Sequence, residues 1–259
     1  MSADPPMDLS GRVALVTGGA AGIGAGVCRW LASAGARVVV ADIDLAGATA
    51  VAEEVGGLAV PCDVSVLADT HAAAAAAVRV FDRLDVVVLN AGISSGFTFT
   101  DFDEAAYRRA MGVNLDGVVF GIASALPVLG ASGGGRIVVL ASLAGLAPVP
   151  VDPVYAANKA AVVNLVRSLG PVLAPQGIAV NAVCPGFTDT AIVDPHRDML
   201  TAMDVPLMAV DDVVAVVGQV LESEGTGHAW LVQPGHPPAP YRFRGVPAPT
   251  GPGGPSAGE

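Results

Sequence analysis

The segment Arg12-Val-Ala-Leu-Val-Thr-Gly-Gly-Ala-Ala-Gly-Ile-Gly24 decides the fold. Its first half is a continuous apolar run, which is typical of a strand buried on both faces. Its second half has the glycine spacing G-x-x-x-G-x-G and opens a helical pattern that reaches Ala34. Strand, glycine turn and helix in this order predict a site for a diphosphate at a helix N-terminus. The candidate binding residues are Gly18, for the tight turn, Gly22 and Ile23, where the backbone approaches the diphosphate, and Gly24, for close helix packing.

Apolar β-branched runs and alanine-rich helical stretches alternate along the rest of the chain. Strands are predicted at 12–17, 37–41, 58–61, 85–89, 136–141, 178–183 and 228–232, and helices at 22–34, 45–55, 66–82, 103–129, 153–174 and 211–222. This alternation predicts an α/β fold with a doubly wound, parallel, seven-stranded sheet, the Rossmann fold, in a single domain. The alternative for the glycine turn alone is a merely flexible turn, since the chain has 32 glycines.

Composition excludes several classes of function. The 259 residues are 53% apolar, with a mean hydropathy of +0.60, which excludes disorder for most of the chain. A net charge of −11 argues against nucleic acid and anionic membranes as partners. Three scattered cysteines fit neither a disulfide framework nor a metal site, and no signal peptide is visible. We therefore expect a soluble cytoplasmic protein with no metal.

The proposed domain covers residues 1–235, and a short lid over the substrate is expected at 187–210. Residues 236–259 have Pro or Gly at nearly every second position, which predicts an extended or disordered tail. Pro127 is expected to end or kink the helix at 103–129, and Gly170-Pro171 to bend the next helix near Ser168.

Polar residues follow the predicted second, third and fourth strands. Asp42 lies 20 residues beyond Gly22, where a carboxylate accepts hydrogen bonds from an adenosine ribose and repels a 2′-phosphate. With no Arg or Lys in the glycine turn or just after Asp42, NAD is favoured over NADP; the alternative is a helix cap. Two further strand ends complete this edge of the sheet. After the third strand come Asp63, whose carboxylate could accept a hydrogen bond from the adenine amino group, and Val64. After the fourth come Asn90, Ala91 and Gly92, which permit close approach of the backbone to the cofactor.

Tyr155 and Lys159 are the sharpest candidates for catalysis. Their i, i+4 spacing puts both side chains on one helix face. Lys159 is the only lysine in a chain with 13 basic residues, which indicates a role that arginine cannot fill. A nearby ammonium is expected to lower the pKa of a phenol, which would suit Tyr155 to acid–base catalysis. Ser142 ends the fifth strand, where it could bind a substrate oxygen or cap a turn.

These motifs occur in the order found in the short-chain dehydrogenase/reductase family, which the chain resembles over roughly residues 9–235. Within that family, Ser142-Leu-Ala-Gly145 and Cys184-Pro-Gly-Phe187 look like 15-hydroxyprostaglandin dehydrogenase and its bacterial relatives. The resemblance implies that Tyr155 is the general acid–base, that Lys159 lowers its pKa and binds the nicotinamide ribose, and that Ser142 orients the substrate. It further implies a water held by Asn114, and contacts to the nicotinamide from Pro185, Gly186, Thr188 and Thr190.

Three features depart from the family pattern: Leu89 replaces a frequent Asn, Asn158 replaces a frequent Ser, and Pro171 interrupts the helix that follows Lys159. None of them removes a residue that the chemistry requires.

The leading hypothesis is therefore an NAD-dependent oxidoreductase acting on an apolar secondary alcohol or ketone. Its substrate wall would come from residues 93–102, 143–154 and 187–208, and it would assemble as a homodimer or homotetramer through the helices at 103–129 and 153–174. The alternatives are a reductase of acyl-carrier-protein thioesters and a redox-silent NAD-binding regulatory protein.

Overall fold

The computed structural model describes residues 7–245, whose centre is one eight-stranded sheet. The strands are β1 Val13–Thr17, β2 Arg37–Asp42, β3 Leu58–Pro61, β4 Val86–Leu89, β5 Gly135–Leu140, β6 Ile178–Pro185, β7 Ala229–Gln233 and β8 His236–Pro240. Their order across the sheet is β3-β2-β1-β4-β5-β6-β7-β8. Every pair is parallel except β7 with β8. The predicted doubly wound α/β fold is confirmed.

The strand order reverses between β1 and β4, which are neighbours in the sheet although two strands separate them in the chain. In such sheets a crevice opens at this point, beyond the carboxyl ends of the strands. The register pairs Thr17 at the end of β1 with Leu89 at the end of β4. The glycine turn and Asn90 therefore leave the sheet side by side.

Helices cover both faces of the sheet. They are α1 Gly22–Ser33, α2 Leu45–Val55, α3 Leu67–Phe81, α4 Glu104–Met111, α5 Gly117–Ala131, α6 Pro153–Leu173, α7 Arg197–Ala202 and α8 Val210–Glu222. One core cluster joins the sheet to α3, α5 and α6, and the other joins it to α1, α2 and α8. Central strands with side chains in both clusters explain the unbroken apolar runs in the sequence.

The helix predicted at 103–129 is built from three pieces. A stretch of π-helix, Gly112–Asp116, joins α4 to α5. Pro127 lies inside α5, which continues to Ala131, so Pro127 does not end the helix, and the kink expected as the alternative stays a prediction. The carbonyl that loses its partner belongs to Ala123, on an exposed position of the helix, where water can replace the missing N–H. Pro171 likewise lies inside α6, which continues to Leu173.

The combined helix Glu104–Ala131 is long and apolar enough to cross a membrane, judged by length and composition only. In the fold, its apolar residues Val118, Ile122, Ala125 and Leu129 belong to the core cluster that packs on the sheet. Core helices of globular proteins have the same composition.

The segment predicted as a lid leaves β6 and returns to α8. It begins with a parallel bridge between Thr188 and Met208 and contains a 3₁₀-helix, Ala191–His196, before α7. The Arg197 guanidinium donates to both Asp189 (2.7 Å) and Asp194 (2.9 Å), which holds the two ends of the 3₁₀-helix together.

The predicted tail begins with a strand that the sequence did not indicate, β8, and the sheet therefore has eight strands and not seven. Prolines exclude a central strand but are compatible with an edge strand. Beyond β8, the ring of Phe243 packs under the guanidinium of Arg167 on α6, with 3.7 Å from Cζ to the ring centroid. The rest of the tail, 246–259, lies outside the described residues.

Candidate active site

A cavity of about 930 Å³ opens at the crevice between the ends of β1 and β4. Its volume is near the upper end of the range for small-molecule sites. The predicted catalytic and cofactor-binding residues line it, except Gly24, which packs against Gly18, and Asn114, which packs against Gly92. The predicted substrate wall is only partly correct: of residues 93–102 only Ile93 and Ser94 line the cavity, and of 187–208 none beyond His196 does. The lining includes the glycine turn at one end and residues 142–155 and 185–196 at the other.

The glycine turn has the geometry expected of an anion site. Gly18 and Gly22 have φ values of 65° and 52°, in the left-handed region that favours glycine. A Cβ on Gly24 would overlap the carbonyl oxygen of Gly18, so the helix meets the turn itself rather than the strand. Ala21, the N-cap of α1, provides no side-chain hydrogen bond, and the first turn of α1 has no acidic residue. The free N–H groups of this turn fit a diphosphate.

The Asp42 carboxylate lies at the end of β2 and faces the same end of the cavity. It accepts hydrogen bonds from the backbone N–H of Ala20 (3.0 Å) and of Asp44 (2.9 Å). Asp44, not Asp42, caps α2. Asp42 therefore ties the glycine turn to β2 and presents a fixed negative charge to any ribose bound there.

The neighbouring strand ends contribute further polar groups. The Asp63 carboxylate accepts from the N–H and hydroxyl of Ser65 (2.9 and 2.6 Å), and Val64 is almost fully buried beside it. The Asn90 amide donates to the carbonyl oxygens of Thr17 and Gly18 (3.1 and 3.0 Å). Asn90 thus supports the glycine turn from behind.

The backbone of Ala91 and Gly92 is open to the cavity. A Cβ on Gly92 would lie 3.5 Å from the ammonium nitrogen of Lys159 and 3.4 Å from the amide oxygen of Asn114. Glycine at this position therefore leaves room beside Lys159 for a bound group.

Tyr155 and Lys159 share the face of α6 that meets the cavity. The Lys159 ammonium is 2% exposed, donates to the carbonyl oxygen of Leu140 at 2.7 Å, and lies 5.5 Å from the centroid of the Tyr155 ring. Burial lowers the pKa of Lys159 to about 8. An ammonium has three donors, so at least one remains for a bound hydroxyl.

Burial also raises the pKa of Tyr155 to about 12, and a hydrogen bond from Ser142 opposes this rise. In the protein without a bound ligand, Lys159 therefore does not lower the pKa of Tyr155 as expected from the sequence. The physical reason is that the Lys159 ammonium is held by Leu140, while desolvation disfavours the charged form of both side chains. A further positive charge bound in the cavity would favour the phenolate.

Ser142 combines the two roles that its sequence position allowed. It caps the 3₁₀-helix Leu143–Gly145, because its hydroxyl oxygen accepts from the N–H of Ala144 at 3.1 Å. The hydroxyl proton makes a long contact, 3.5 Å, with the carbonyl oxygen of Pro185, and its hydrogen bond toward Tyr155 is the one that lowers the pKa of that phenol. The same proton can turn to a substrate oxygen bound beside Tyr155.

The Asn114 side chain lies in the π-helix and is fully buried. Its amide exchanges two hydrogen bonds of 2.8 Å with the backbone of Ile93. These bonds use one amide hydrogen and one lone pair of the oxygen, so the side chain keeps one donor and one acceptor position. The relay itself stays a prediction.

On the opposite wall, Pro185 ends β6, and the N–H of Gly186 donates to Val232 at 3.0 Å. Thr188 is 4% exposed, and its hydroxyl donates back to Gly186 at 3.2 Å. Thr190 comes within 3.3 Å of a Cβ placed on Gly22, so this wall closes over the glycine turn.

Two of the departures from the family pattern have structural partners. Leu89 fills the space beside Gly121, where a Cβ would come within 2.5 Å of it. The Asn158 amide is buried and donates at 3.3 Å to the carbonyl oxygen of Ala110, at the end of α4.

Asp152, a buried carboxylate that lines the cavity and caps α6, is not among the predicted site residues. Its signal was the sequence Asp-Pro at the start of a helical pattern, which is typical of an N-cap. Within residues 7–245, no group of His, Cys, Asp and Glu side chains is arranged to hold a metal ion.

Comparison with known proteins agrees with this geometry. The sequence profile of the short chain dehydrogenases matches residues 12–201. The chain belongs to the short-chain dehydrogenase/reductase family. This family membership makes the protein an oxidoreductase of a family that uses nicotinamide cofactors.

Several relatives are dehydrogenases. Galactitol 2-dehydrogenase from Agrobacterium fabrum is 37% identical over 73% of this chain and 77% of its own. The 3-alpha-(or 20-beta)-hydroxysteroid dehydrogenase of Mycobacterium tuberculosis is 36% identical over 88% of this chain and 90% of its own. A crystal structure of a short-chain type dehydrogenase/reductase from Mycobacterium marinum superimposes with a TM-score of 0.83 at 30% identity, covering 88% of this chain and 96% of that one.

Proposed function

We propose that this short-chain dehydrogenase/reductase uses NAD(H) to interconvert an apolar secondary alcohol and the corresponding ketone. The observation that carries the proposal is the placement of Tyr155 and Lys159 on one helix face, beside Ser142, in a cavity that also contains the glycine turn. A proton donor, a cation and an anion site in one cavity are the groups that hydride transfer to or from a carbonyl carbon requires.

The chain's own residues handle the proton. In the oxidation, the Tyr155 phenolate accepts the hydroxyl proton while the Ser142 hydroxyl holds the substrate oxygen. Lys159 binds the nicotinamide ribose through donors that Leu140 leaves free. Bound NAD⁺ supplies the hydride acceptor and the positive charge that favours the phenolate. In the reduction, the Tyr155 phenol gives its proton back to the carbonyl oxygen.

The preference for NAD over NADP follows from Asp42. A 2′-phosphate would meet a carboxylate that two backbone N–H groups hold in place. The next residue, Ile43, is 74% exposed and offers no compensating charge.

The substrate end of the cavity supports an apolar substrate. Its lining residues there are mainly aliphatic: Leu143, Ala144, Ala147, Val149, Val151, Phe187, Ile192 and Val193. The names of the relatives specify hydroxyl-bearing substrates as different as galactitol and a hydroxysteroid. The finer resemblance to 15-hydroxyprostaglandin dehydrogenase stays a prediction.

The test is a panel of secondary alcohols with NAD⁺ at alkaline pH, followed by the absorbance of NADH. Tyr155→Phe should lower turnover by about 10²–10⁴ and leave NADH binding intact. Tyr107→Phe is the matched control, because Tyr107 packs on Phe102 and is not part of the cavity lining. Full turnover in Tyr155→Phe would refute the mechanism. Tight NADH binding without turnover of any alcohol would instead favour the redox-silent alternative, and a preference for NADPH would favour the thioester reductase.

For the assembly, we propose a homodimer or homotetramer of a cytoplasmic protein that binds neither nucleic acid nor membrane. Exposed valines on the outer faces of α5 and α6, Val119 at 41% and Val172 at 59%, support pairing through these helices. Light scattering at micromolar concentration tests this, and a monomeric mass would contradict it.

A further inference from the structure

A buried carboxylate joins the two segments that form the substrate end of the cavity. Asp152 is 6% exposed and precedes the first turn of α6. One oxygen accepts from the N–H of Tyr155 at 3.0 Å and from the hydroxyl of Ser95. The other accepts from the N–H of Ser95 at 2.9 Å and from the hydroxyl of Ser94 at 2.8 Å. All four donors belong either to α6 or to the loop after β4.

We propose that Asp152 is a positioning residue that fixes the loop after β4 against the first turn of α6, and so fixes Tyr155 relative to the substrate wall. This inference rests on the proposed function of Tyr155. A cap alone needs one acceptor for the helix N–H groups. Asp152 uses its remaining acceptor positions on Ser94 and Ser95, more than 50 residues away in the chain.

The contacts explain why a carboxylate is present. All four partners donate, and a carboxylate group has lone pairs on both oxygens to accept from them. An asparagine would turn an NH₂ group toward two of these donors. The Ser95 hydroxyl is itself buried, at 4% exposure for the residue, so the loss of its acceptor would leave it unpaired.

The charge of Asp152 also acts electrostatically on Tyr155. Within the described part of the chain Asp152 forms no ion pair, so N–H and O–H groups alone balance it. Its negative charge raises the pKa of Tyr155, in addition to the larger effect of burial. The groups near Tyr155 on the other packed elements are Ser142 after β5 and Cys184 in β6, with Lys159 on α6 itself.

More distant charged or titratable groups lie on other walls of the cavity: Asp42, Asp63, Arg108, Arg109 and His196. Asp152 therefore helps to keep the Tyr155 phenol protonated, which is the form that donates a proton to a ketone.

The first experiment needs no substrate. The phenolate absorbance of wild type and Asp152→Asn is titrated up to the alkaline limit at which circular dichroism stays native, with Tyr155→Phe as the reference that removes the signal. We expect the Tyr155 signal to begin at a pH lower by about half a unit or more in Asp152→Asn, because a negative charge has been removed. Asp103→Asn is the matched control, since Asp103 also caps a helix, α4, but lies outside the cavity lining.

The second experiment measures kinetics with the best alcohol from the panel. Asp152→Asn should raise KM and shift the pH dependence of kcat to lower pH, while the affinity for NADH changes less than about twofold. Ser95→Ala removes one loop contact and keeps the charge and the helix cap. It should raise KM without shifting the pH profile, and it tests the proposal even if Asp152→Asn does not fold.

An unchanged phenolate titration in Asp152→Asn together with an unchanged KM in Ser95→Ala would overturn the inference. If Asp152→Asn and Asp103→Asn changed the phenolate titration and KM equally, Asp152 would be an ordinary helix cap. If no alcohol is turned over by the wild type but the titration shifts, the proposed function fails while the effect of Asp152 on Tyr155 stands.

Discussion

Replacing Lys159 by methionine tests the environment of the only lysine in the chain. The pKa of Lys159 is lowered from 10.5 to about 8 because burial penalises its charge. At about 1.4 kcal/mol per pKa unit, the charged lysine lowers the free energy of unfolding by about 3 kcal/mol at pH 7. The uncharged methionine side chain would remove this penalty, but it would leave the carbonyl oxygen of Leu140 without its donor, which costs about 1–3 kcal/mol.

The sign of the pH dependence follows from the two protonation states. Between pH 8 and 10.5 the unfolded chain binds more protons at Lys159 than the folded chain, so this residue makes the wild type more stable as pH rises. Lys159→Met lacks this gain. At pH 7 we expect the free energy of unfolding of the variant to equal that of the wild type or to exceed it by up to about 2 kcal/mol. By pH 10.5 the wild type should be the more stable protein, by up to about 3 kcal/mol.

The assay is urea unfolding of both proteins without cofactor at several pH values from 7 to 10. The raised pKa values of the buried cysteines and of Tyr155 destabilise both proteins at the alkaline end, and the difference between the two curves largely cancels them. A difference that does not change with pH would refute the reasoning. So would a variant that is several kcal/mol less stable at pH 7, because the ammonium would then be stabilising.

Three further changes have defined outcomes. Asp42→Asn should narrow the ratio of NADP⁺ to NAD⁺ dissociation constants by about tenfold or more, measured by fluorescence titration; an unchanged ratio would remove Asp42 from cofactor selection. Lys159→Arg should lower turnover strongly, weaken cofactor binding and move residual activity to higher pH, because a planar guanidinium cannot occupy the space of the ammonium; full activity with an unchanged pH profile would contradict this. Gly24→Ala should lower the unfolding free energy by more than about 2 kcal/mol and weaken NADH binding, because the new Cβ would overlap Gly18. The control Gly130→Ala has open space around its Cβ and should stabilise α5 by up to about 1 kcal/mol.

Local features of the sequence were sufficient to predict the central fold. The apolar run before Gly18 and the helical pattern after Gly22 place the anion site, because strand, turn and helix are contiguous in the chain. The same holds for Tyr155 and Lys159, whose spacing fixes a shared helix face. These predictions needed no knowledge of distant contacts.

The remaining features depend on residues far apart in sequence. The π-helix Gly112–Asp116 lies where Asn114 hydrogen-bonds to Ile93 and where Asn158 hydrogen-bonds to Ala110. No short sequence pattern indicates either of these contacts. The direction of the Tyr155 pKa shift was missed for the same reason, since burial is a property of the folded chain. The contacts of Asp152 likewise join the loop after β4 to the first turn of α6, which only the fold brings together.

The edge strand β8 has a consequence for how the protein behaves at high concentration. Its sequence is His236-Pro-Pro-Ala-Pro240, so only His236 and Ala239 have a backbone N–H, and both are register partners of β7 residues. A strand with two N–H groups in five residues offers few donors for the addition of another strand. The apolar sheet is therefore terminated on this side by a segment that resists edge-to-edge aggregation.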